Sequence, residues 1–524
     1  MIKLTVIFIL VVIWLQIAFS QQQQQQCIIF INNISSNNNE TCGNSTTNAC
    51  DSLHSAIQAC DYQQLTLNMV FNFANGSYPI ASGYAYPLYN QVLTLNGVSN
   101  ETIFDFTGST TNILEIIEPP NGNFGDTTEL IITNVQMTNL QTSFLQTNTY
   151  QSHLTVTLTN VTFNHVNFAL NALSALSIIA TAPQGQTEND VTPVNLNLQN
   201  CEFSYLSSEK QKQGIAINAE NVNIAISHCL FANNTGSNSI IFTMEGTIEI
   251  DNTQFIGNQI SSMGVLTVVN QVTANQSISS TTFDNNSLWG NSSGYSIASI
   301  VIFDSTLNII DCEFTNNIIT SIWDSNLGLE TTSVTVSNSK FIGNQVLNGV
   351  IYAGYRSSYV LDNSLFQSNV VTKSSVVVAE VSKSINSQSS KYLNNQGIIF
   401  ILTSSLLELF NNTATDNGDY EIISCQGKSN IQVDTGNIFD TLALINCQEG
   451  SNCQINTNSI GLSCPKSTSS SKESSSTDDS KSKKPSKTAI ILISVLSGIA
   501  LLAIITIGLV YLFKFHKKSS YQPI

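Results

Sequence analysis

Charged residues are scarce in this chain. Asp, Glu, Lys and Arg make up 10% of its 524 residues, whereas about a quarter is usual for a globular protein. Basic residues are the scarcest, with 18 Lys and Arg against 35 Asp and Glu, and Arg356 is the single arginine. The net charge of −17 excludes a basic surface for nucleic acid, because such a surface must neutralise phosphates.

Motifs for common cofactors and nucleophiles are also missing. The sequence shows no phosphate-binding loop, no nucleophile elbow and no cysteine pair at zinc-finger spacing from histidines. Proline is rare, at 9 residues, and Asn, Ser, Thr and Gln fill most polar positions. We therefore predict neither a cofactor nor a metal, and expect a fold that accommodates many uncharged polar side chains.

Two apolar segments predict the membrane topology. Residues 1–20 carry Lys3 ahead of an apolar run and indicate a secretory signal peptide. Residues 489–513 contain no charge and are long enough to span a bilayer, and the lysines that follow place the C-terminus in the cytosol. The chain is predicted to be a type I single-pass membrane protein of the plasma membrane or of endolysosomes.

The predicted domains follow from these segments and from composition. They are a signal peptide (1–20), a Cys-rich N-terminal cap (21–64), a β-helix ectodomain (65–464), a Ser- and Lys-rich stalk (465–488), a transmembrane helix (489–513) and a cytoplasmic tail (514–524). Within the cap, residues 48–60 predict an amphipathic helix that begins after Asp51 or Ser52 and covers the first coil.

Cysteines and glycosylation sequons indicate an oxidising secretory compartment. Eight of the 11 cysteines cluster near the two ends of the ectodomain and are expected to form disulfides, although spacing does not define the pairs. These candidates are Cys27, Cys42, Cys50, Cys60, Cys425, Cys447, Cys453 and Cys464. Eleven N-glycosylation sequons are present, at Asn33, Asn39, Asn44, Asn75, Asn100, Asn160, Asn233, Asn275, Asn285, Asn291 and Asn411.

A repeat runs through the predicted ectodomain. Phenylalanine recurs at intervals of 24 to 40 residues, with Met137 before the series and Leu393 after it, and the longest interval indicates an inserted loop near 182–191. The series is Phe163, Phe203, Phe231, Phe255, Phe283, Phe314, Phe341 and Phe366. In six consecutive repeats an asparagine stands three places later, at Asn234, Asn258, Asn286, Asn317, Asn344 and Asn369. Apolar residues seven and five places before Phe alternate with polar ones, which is typical of a strand with one buried face.

Each repeat predicts one coil of a parallel β-helix. A turn-forming residue, most often Asn, precedes each Phe by three places and can bend the chain through the left-handed conformation. Equal positions of stacked coils lie about 4.8 Å apart, so we expect a stack of phenylalanines and a hydrogen-bonded ladder of asparagines. The small-residue column holds Cys201 and Cys229 in adjacent coils, which could bond, whereas Cys312 is expected to be a free thiol. An antiparallel sandwich, the rival fold, does not require identical columns at a fixed period.

These features resemble two groups of known proteins. A helix followed by coils, over about residues 48–464, resembles pectin-lyase-like proteins, which implies a right-handed parallel β-helix solenoid of the all-β class. The Phe-x-x-Asn tetrapeptides look like the repeats of polymorphic outer-membrane proteins, a family associated with adhesion. The partner Gly-Gly-aliphatic motif of that family is reduced here to sequences such as SMGV at 262–265.

The cytoplasmic tail carries a further resemblance. Its last four residues, YQPI, match a Tyr-x-x-aliphatic sorting signal and end a short tail, as in lysosome-associated membrane glycoproteins. The resemblance implies that Tyr521 and Ile524 fill pockets on a clathrin adaptor subunit.

No catalytic residue is predicted from the sequence. Enzymes of the pectin-lyase-like fold gather carboxylates, in some cases with Arg or Lys, on one outer face. Near Arg356, Asp362 alone lies close in sequence. Four further aspartates could meet across neighbouring coils but stand outside the motifs of polygalacturonase-like enzymes: Asp251, Asp284, Asp304 and Asp311.

Three functions are weighed. The preferred prediction is a non-enzymatic glycoprotein whose β-helix binds a carbohydrate or protein ligand, for adhesion or uptake. The alternatives are a membrane-tethered pectin-lyase-like enzyme that degrades polysaccharides, and a protective structural membrane glycoprotein. A groove lined by aromatic residues would favour the first, paired carboxylates in a groove the second, and uniform glycosylation without a groove the third.

Overall fold

The computed structural model of the chain describes most of the predicted ectodomain. It describes residues 26–457, except 34–40, 63–67, 81–85, 88–90, 100, 110–113, 118–126, 150–152, 169–173, 182–193, 209–212, 270–275, 290–296, 325–331, 419 and 440–444. The chain divides into two units, Met1–Lys466 and Ser467–Ile524, and the described residues belong to the first. The predicted signal peptide, inserted loop, stalk, transmembrane helix and tail, Cys464, and the sequons at Asn39, Asn100, Asn275 and Asn291 lie outside the described residues.

Strands dominate the described residues, where helices are few. An α-helix, α1, spans Leu53–Tyr62 and a 3-10 helix spans Thr46–Asn48. No helix in this part of the chain is both long and apolar enough to cross a membrane. The strands, in chain order, are β1 (Cys27–Ile31), β2 (Asn68–Phe73), β3 (Gly76–Pro79), β4 (Tyr86–Pro87), β5 (Val92–Gly97), β6 (Thr102–Asp105), β7 (Leu114–Ile117), β8 (Thr127–Thr138), β9 (Leu145–Thr149), β10 (His153–Asn164), β11 (Leu176–Ala180), β12 (Val194–Gln199), β13 (Glu202–Ser204), β14 (Ser207–Ser208), β15 (Gly214–Ser227), β16 (Leu230–Ala232), β17 (Thr235–Gly236), β18 (Ser239–Asp251), β19 (Gln254–Ile256), β20 (Gln259–Ile260), β21 (Gly264–Val269), β22 (Gln276–Ser279), β23 (Thr282–Asp284), β24 (Ser287–Leu288), β25 (Ala298–Phe303), β26 (Thr306–Ile310), β27 (Glu313–Thr315), β28 (Thr320–Asp324), β29 (Ser333–Ser337), β30 (Lys340–Ile342), β31 (Gln345–Val346), β32 (Ile351–Ala353), β33 (Ser358–Asp362), β34 (Leu365–Gln367), β35 (Val370–Glu380), β36 (Ser384–Gln388), β37 (Lys391–Leu393), β38 (Gln396–Thr403), β39 (Leu406–Phe410), β40 (Thr413–Thr415), β41 (Ile423–Gln426), β42 (Asn430–Val433), β43 (Ile438–Phe439), β44 (Ile445–Cys447) and β45 (Gln454–Thr457).

These strands pair in parallel with the strands of neighbouring coils. In one column, Phe203 of β13 lies opposite Phe231 of β16, which lies opposite Phe255 of β19. The pairing continues through a 41-stranded sheet and defines a parallel β-solenoid of about 12 turns. The prediction of an all-β parallel solenoid is confirmed. Stacking already includes β1, which pairs with β2 although it lies in the segment predicted as the cap.

Three faces run along the solenoid. The first face contains β10, β12, the C-terminal parts of β15 and β18, β22, β26, β29, β33, β36 and β39. The second face contains β13, β16, β19, β23, β27, β30, β34 and β37. The third face contains β11, the N-terminal parts of β15 and β18, β21, β25, β28, β32, β35 and β38. Alternate residues of each face point into a shared core, and the others point outward. On the third face, the outward residues Phe242, Val269, Val301 and Phe303 belong to a second buried apolar cluster.

Aromatic rings stack along the core side of the second face. From Phe163 to Tyr392, successive ring centroids lie 4.6–5.0 Å apart with planes within 10° of parallel. Each buried ring contributes roughly 1.5–3 kcal/mol of hydrophobic stabilisation. The placement of Leu393 in this column is wrong by one residue, because Tyr392 lies opposite Phe366. Tyr392 fits the buried column because its hydroxyl lies 2.9 Å from the Ser387 Oγ atom.

A ladder of buried asparagines follows the second face. From Asn234 to Asn395, each Nδ2 donates to the Oδ1 of the next asparagine at 2.9–3.0 Å. Each Nδ2 also donates to the carbonyl of an aromatic residue of the preceding coil, as Asn286 does to Phe255 at 2.9 Å. The ladder satisfies polar groups that the core would otherwise leave unpaired, and it extends past the six predicted members to Asn417.

The corners of the solenoid use left-handed backbone. The predicted bend residues three places before Phe have φ between 46° and 56°, and include Asn200, His228 and Asp311. A second bend lies two places after Phe, at the turn predicted to follow Phe but without an assigned residue type. It has φ between 53° and 66° at residues that include Tyr205, Asn233 and Gly257. Asn, Asp and Gly enter this conformation most readily, but other residue types also occupy these positions. Alignment of the repeats therefore shows no shared residue type two places after Phe.

Disulfides lie near both ends of the described stack. Cys27 is joined to Cys60, Cys42 to Cys50, and Cys425 to Cys453, and Cys447 is also disulfide-bonded. The first bond ties β1 to α1. In that helix the Ser52 Oγ atom accepts the backbone N–H of Ser55 at 3.3 Å, as an N-cap does.

Candidate active site

A groove crosses the outer surface of the first face. Its cavity has a volume of about 370 Å³ and is lined by Thr155, Asn195, Asn197, Asn223, Ile224, Ala225, Thr247 and Glu249. The lining comes from β10, β12, β15 and β18, which belong to four successive coils. At about 4.8 Å per coil the groove is about 14 Å long, enough for several sugar units. None of its lining residues is aromatic or basic.

Amides and hydroxyls form the floor of this groove. Strand alternation turns Asn195 and Asn197 outward while Leu196 is buried in the core. Asn223 Nδ2 donates to Asn195 Oδ1 at 3.2 Å, and Thr247 Oγ1 donates to Asn223 Oδ1 at 3.0 Å. These contacts fix the orientation of the amides. An amide with two donors and an accepting oxygen can then hydrogen-bond the hydroxyls of a glycan.

Two carboxylates share the outer surface of β18 at the groove. Glu249 lines the cavity, and Asp251 stands two residues further along the same strand, while Ile250 between them is buried. Two residues of strand place the Cα atoms about 6.6 Å apart, with both side chains on one face. Glu249 and Asp251 are exposed, and the Ser279 hydroxyl donates to Asp251 Oδ1 at 2.7 Å. Ala225, opposite Glu249 in the preceding coil, leaves space beside its carboxyl group.

This arrangement suits glycoside hydrolysis. That reaction uses two carboxyl groups about 5–10 Å apart, one to protonate the leaving oxygen and one to act as base or nucleophile. Asp251 was among the aspartates considered from the sequence, but Glu249 was not. The signal that identifies the pair is Glu-Ile-Asp at 249–251 within a strand, because alternation puts its acids on one face.

The other aspartates considered from the sequence do not join this pair. Asp284 lies on the second face, where it accepts hydrogen bonds from the Thr315 hydroxyl at 2.6 Å and the Asn316 amide at 3.1 Å. Asp311 occupies the bend between the first two faces, and Asp304 follows β25 of the third face. The four therefore do not form a shared carboxylate site.

Arg356 lies on a corner beyond the third face. Its guanidinium carbon is 5.1 Å from the centroid of the Tyr355 ring, a cation–π contact, and both residues are exposed. Arg356 is not among the residues that line the groove. The structure does not bring this arginine to Glu249 or Asp251, so a lyase that uses arginine as base is not assembled there.

Glycosylation and metal chemistry are also informed by the structure. The seven described sequon asparagines are exposed: Asn33, Asn44, Asn75, Asn160, Asn233, Asn285 and Asn411. Within the described residues, no group of three or more His, Cys, Asp or Glu side chains could hold a metal ion.

Trp323 and Tyr352, whose ring centroids are 6.1 Å apart, lie on the outer surface of the third face and not in the groove.

One carboxylate is buried inside the solenoid. Asp324, on β28, points into the core, is 0% exposed, and accepts a hydrogen bond from the Gly354 N–H. Among the described residues, its Oδ2 atom and the nearby Tyr359 hydroxyl have no partner in ideal hydrogen-bonding geometry. Burial raises the pKa of Asp324 to about 7, although the Ser357, Gly354 and Tyr359 donors act to lower it. The folded protein therefore retains a proton that the unfolded chain releases near pH 4.

Replacing Asp324 by Asn is expected to remove a pH dependence of stability. Because the folded pKa of about 7 lies above the unfolded value, stability is complete below about pH 4 and falls as pH rises to about 7. The loss is on the order of 4 kcal/mol. Asn resembles the protonated acid, so Asp324→Asn should match wild type at pH 4 and exceed it at pH 8 in urea unfolding. Asp362→Asn is the outer-surface control, and equal pH profiles for wild type and Asp324→Asn would contradict this prediction.

Comparison with known proteins finds solved structures of low similarity. No protein family matches the chain, and no curated protein does. The catalytic domain of a family 87 α-1,3-glucanase, solved with tetrasaccharides, is 11% identical with a TM-score of 0.36, over 62% of this chain and 64% of that one. The A-module of an Azotobacter vinelandii mannuronan C-5 epimerase is 10% identical with a TM-score of 0.29, over 77% of this chain and 93% of that one. The catalytic unit of a Streptomyces thermodiastaticus α-1,3-glucanase is 12% identical with a TM-score of 0.31, over 75% of this chain and 66% of that one.

These comparisons correct the functional prediction. The preferred prediction of a non-enzymatic adhesion or uptake protein is contradicted, as is the prediction that the chain is not an enzyme, because these structures are catalytic domains of carbohydrate-active enzymes. Identities of 10–12% and TM-scores of 0.29–0.36 say nothing about the reaction of this chain, which has to be derived from its own side chains.

Proposed function

We propose that this protein is a polysaccharide hydrolase whose active site is the groove of the first face. The observation that carries the proposal is the pair Glu249 and Asp251, which share the outer surface of one strand at a cavity of about 370 Å³. Carboxylates at this spacing are the catalytic groups of glycoside hydrolysis.

The two carboxyl groups take different roles in this mechanism. Asp251 accepts the Ser279 hydroxyl hydrogen bond, which fixes it as the acceptor and assigns it the role of base or nucleophile. Glu249 lies in the cavity itself and donates a proton to the oxygen of the departing sugar. Asn195 and Asn223, joined at 3.2 Å, bind hydroxyl groups and hold the glycan across the coils. Fixing the substrate against both carboxyl groups supplies the positioning part of catalysis.

The substrate class that best fits the groove is a neutral polysaccharide. The groove is lined by amides, hydroxyls and Glu249, without a Lys or Arg to balance an anionic sugar. The chain also carries a net charge of −17, so a polyuronate would be repelled over the whole surface. A neutral glycan avoids both penalties.

A substrate panel tests this function. The purified chain would be incubated with neutral glucans, mannans and xylans and with polyuronates, and new reducing ends would be measured. We expect reducing ends from at least one neutral polysaccharide and none from polyuronates. Folded protein that cleaves no neutral polysaccharide would contradict the proposal, and unsaturated uronate products would instead support lyase chemistry.

We also propose the cap and the handedness of the solenoid, its membrane anchor and its cellular compartment. Helix α1, tied to β1 by Cys27–Cys60, caps the first coil, and the solenoid is right-handed. The apolar residues 489–513 tether the enzyme to a membrane with the tail in the cytosol, and the exposed sequons carry glycans. The buried Asp324, which favours the folded state at low pH, supports residence in an acidic endolysosomal compartment.

Replacing Tyr521 by Ala is expected to raise the amount of protein at the cell surface several-fold. The tail YQPI would bind a clathrin adaptor as an extended peptide, with Tyr521 and Ile524 as its anchors, and the variant loses the main anchor. Surface biotinylation measures the effect, with Ser520→Ala as the neighbouring control. An unchanged surface fraction in Tyr521→Ala would rule out the sorting signal.

A further inference from the structure

Two buried thiols contact each other beneath the first face. Cys201 and Cys229 precede β13 and β16, where Glu202 lies opposite Leu230, so the cysteines occupy equal positions in adjacent coils. They are 2% and 3% exposed, and the Cys201 N–H donates to the Cys229 Sγ atom at 3.3 Å. Both are reduced in the structure.

The geometry of this pair permits a disulfide. Equal positions of stacked coils place Cα atoms about 4.8 Å apart, inside the range of roughly 4.4–6.8 Å found for bonded cysteines. Both side chains are buried in the same column, and the Cys229 Sγ atom lies 3.3 Å from the Cys201 backbone nitrogen. Parallel side chains at this spacing keep their Cβ atoms about 4.8 Å apart, just beyond the roughly 3.5–4.5 Å of a disulfide, so bridging requires a small approach of the two coils as well as rotation of both side chains.

The two thiols also differ in acidity. The hydrogen bond with Cys229 lowers the pKa of Cys201, whereas the same contact, together with burial, raises the pKa of Cys229. One sulfur can therefore carry the negative charge while its neighbour keeps the proton. These shifts belong to the closed core and reflect the contact between the two sulfur atoms there.

We propose that Cys201 and Cys229 form an inter-coil disulfide in the mature protein. The chain already carries disulfides near both ends of its described stack, and a compartment that oxidises those cysteines can oxidise this pair. The oxidant is a disulfide R–S–S–R of that compartment. The buried position means that exchange takes place while the coils assemble, before the core closes.

The exchange balances in two steps. The Cys201 thiolate attacks one sulfur of R–S–S–R, which forms a mixed disulfide and releases R–S⁻. The Cys229 thiolate then attacks the Cys201 sulfur, forms the Cys201–Cys229 bond and releases the second R–S⁻. The two cysteines lose two electrons and two protons, and the products on the oxidant side are two R–SH molecules.

This bond would fix the part of the solenoid that carries the groove. Cys201 follows β12 by two residues and Cys229 follows β15 by two, and these strands supply Asn195 and Asn223 to the groove floor. A covalent link at this point holds the two coils in register. The inference does not depend on what the groove binds.

Cys312 provides a matched control in the same column. Its neighbours in the adjacent coils are Thr281 and Ser339, and its N–H donates to the Ser339 Oγ atom at 3.1 Å. Burial raises the pKa of the Cys312 thiol to about 12. With a hydroxyl on either side and little thiolate, Cys312 is expected to stay reduced.

Site-resolved thiol mapping tests the proposal. The full chain, secreted by a cell with an oxidising secretory pathway, would be unfolded without reductant in the presence of an alkylating reagent and then mapped by mass spectrometry. We expect alkylated Cys312 and a peptide pair that links Cys201 to Cys229, lighter by about 2 Da than its reduced parts. Alkylation of both Cys201 and Cys229, or a link of either to another cysteine, would overturn the proposal.

Two variants sharpen the mapping. Cys201→Ser should leave Cys229 alkylated, and Cys312→Ser should leave the linked peptide pair unchanged. Loss of the Cys201–Cys229 link in Cys312→Ser would show that Cys312 takes part in the disulfide, and the assignment would then be wrong. Wild-type mapping decides the question even where Cys201→Ser fails to fold, because it reports the state of each cysteine directly.

Discussion

Replacing Glu249 by Gln is expected to lower the rate of polysaccharide hydrolysis by a factor of about 10²–10⁴, the usual contribution of a general acid. Gln keeps the shape of the side chain and its place in the cavity but cannot donate a proton to the leaving oxygen. Asp251→Asn should cause a loss of at least similar size, because it removes the base or nucleophile. The rate of reducing-end release from the substrate identified in the panel measures both effects.

The repeat supplies matched controls for these variants. Glu408 lies six coils further along the same outward column as Glu249, and Asp362 lies four coils along the column of Asp251. Glu408→Gln and Asp362→Asn make the same chemical change on the same face, away from the groove, and should retain wild-type rates. Equal losses in a control and its catalytic counterpart would contradict the assignment, as would full activity in both Glu249→Gln and Asp251→Asn.

The scaffold could be predicted from the sequence because stacked coils repeat their chemistry. A residue such as Phe283 contacts Phe255 and Phe314 at equal positions, so the same side chain suits every coil. The Asn column follows the same rule, since each amide pairs with an identical one. Periodic core contacts therefore produce a periodic pattern in the sequence. The prediction chose Leu393 instead of Tyr392 because this coil has Tyr, and not Phe, in the stacked position.

The groove could not be predicted in the same way. Outward residues also contact their equivalents in adjacent coils, as Asn223 does Asn195, but solvent on their other side accommodates side chains of different size and chemistry, so no residue type is required to repeat. The outward column of Glu249 holds Asn197, Ala225 and Ser277 in nearby coils. A search for enzyme motifs missed Glu249 for a related reason. On a strand, two acids separated by one residue already share a face, without any longer motif.

The asparagine ladder should be the most sensitive part of the scaffold, and Asn286→Ala tests it. The substitution removes Asn286 Nδ2, which donates to Phe255 O and Asn317 Oδ1, and Asn286 Oδ1, which accepts two hydrogen bonds from Asn258. Buried groups left unpaired cost about 1–3 kcal/mol each, so the total loss is about 4 kcal/mol. A lower urea midpoint and faster hydrogen exchange in the coils around 255–317 should report it.

The control for the ladder is Asn308→Ala. Asn308 is half-buried on the outer surface of the first face, so the same atoms are removed without opening the core, and the expected cost is below about 0.5 kcal/mol. The Asn285 sequon survives in Asn286→Ala, because its middle position tolerates Ala. Contacts in a solenoid reach only neighbouring coils, so faster exchange should be strongest near residue 286 and weaken along the stack. Similar costs for the two variants would mean that the ladder is dispensable, and the stability of the coils would then rest on the aromatic stack alone.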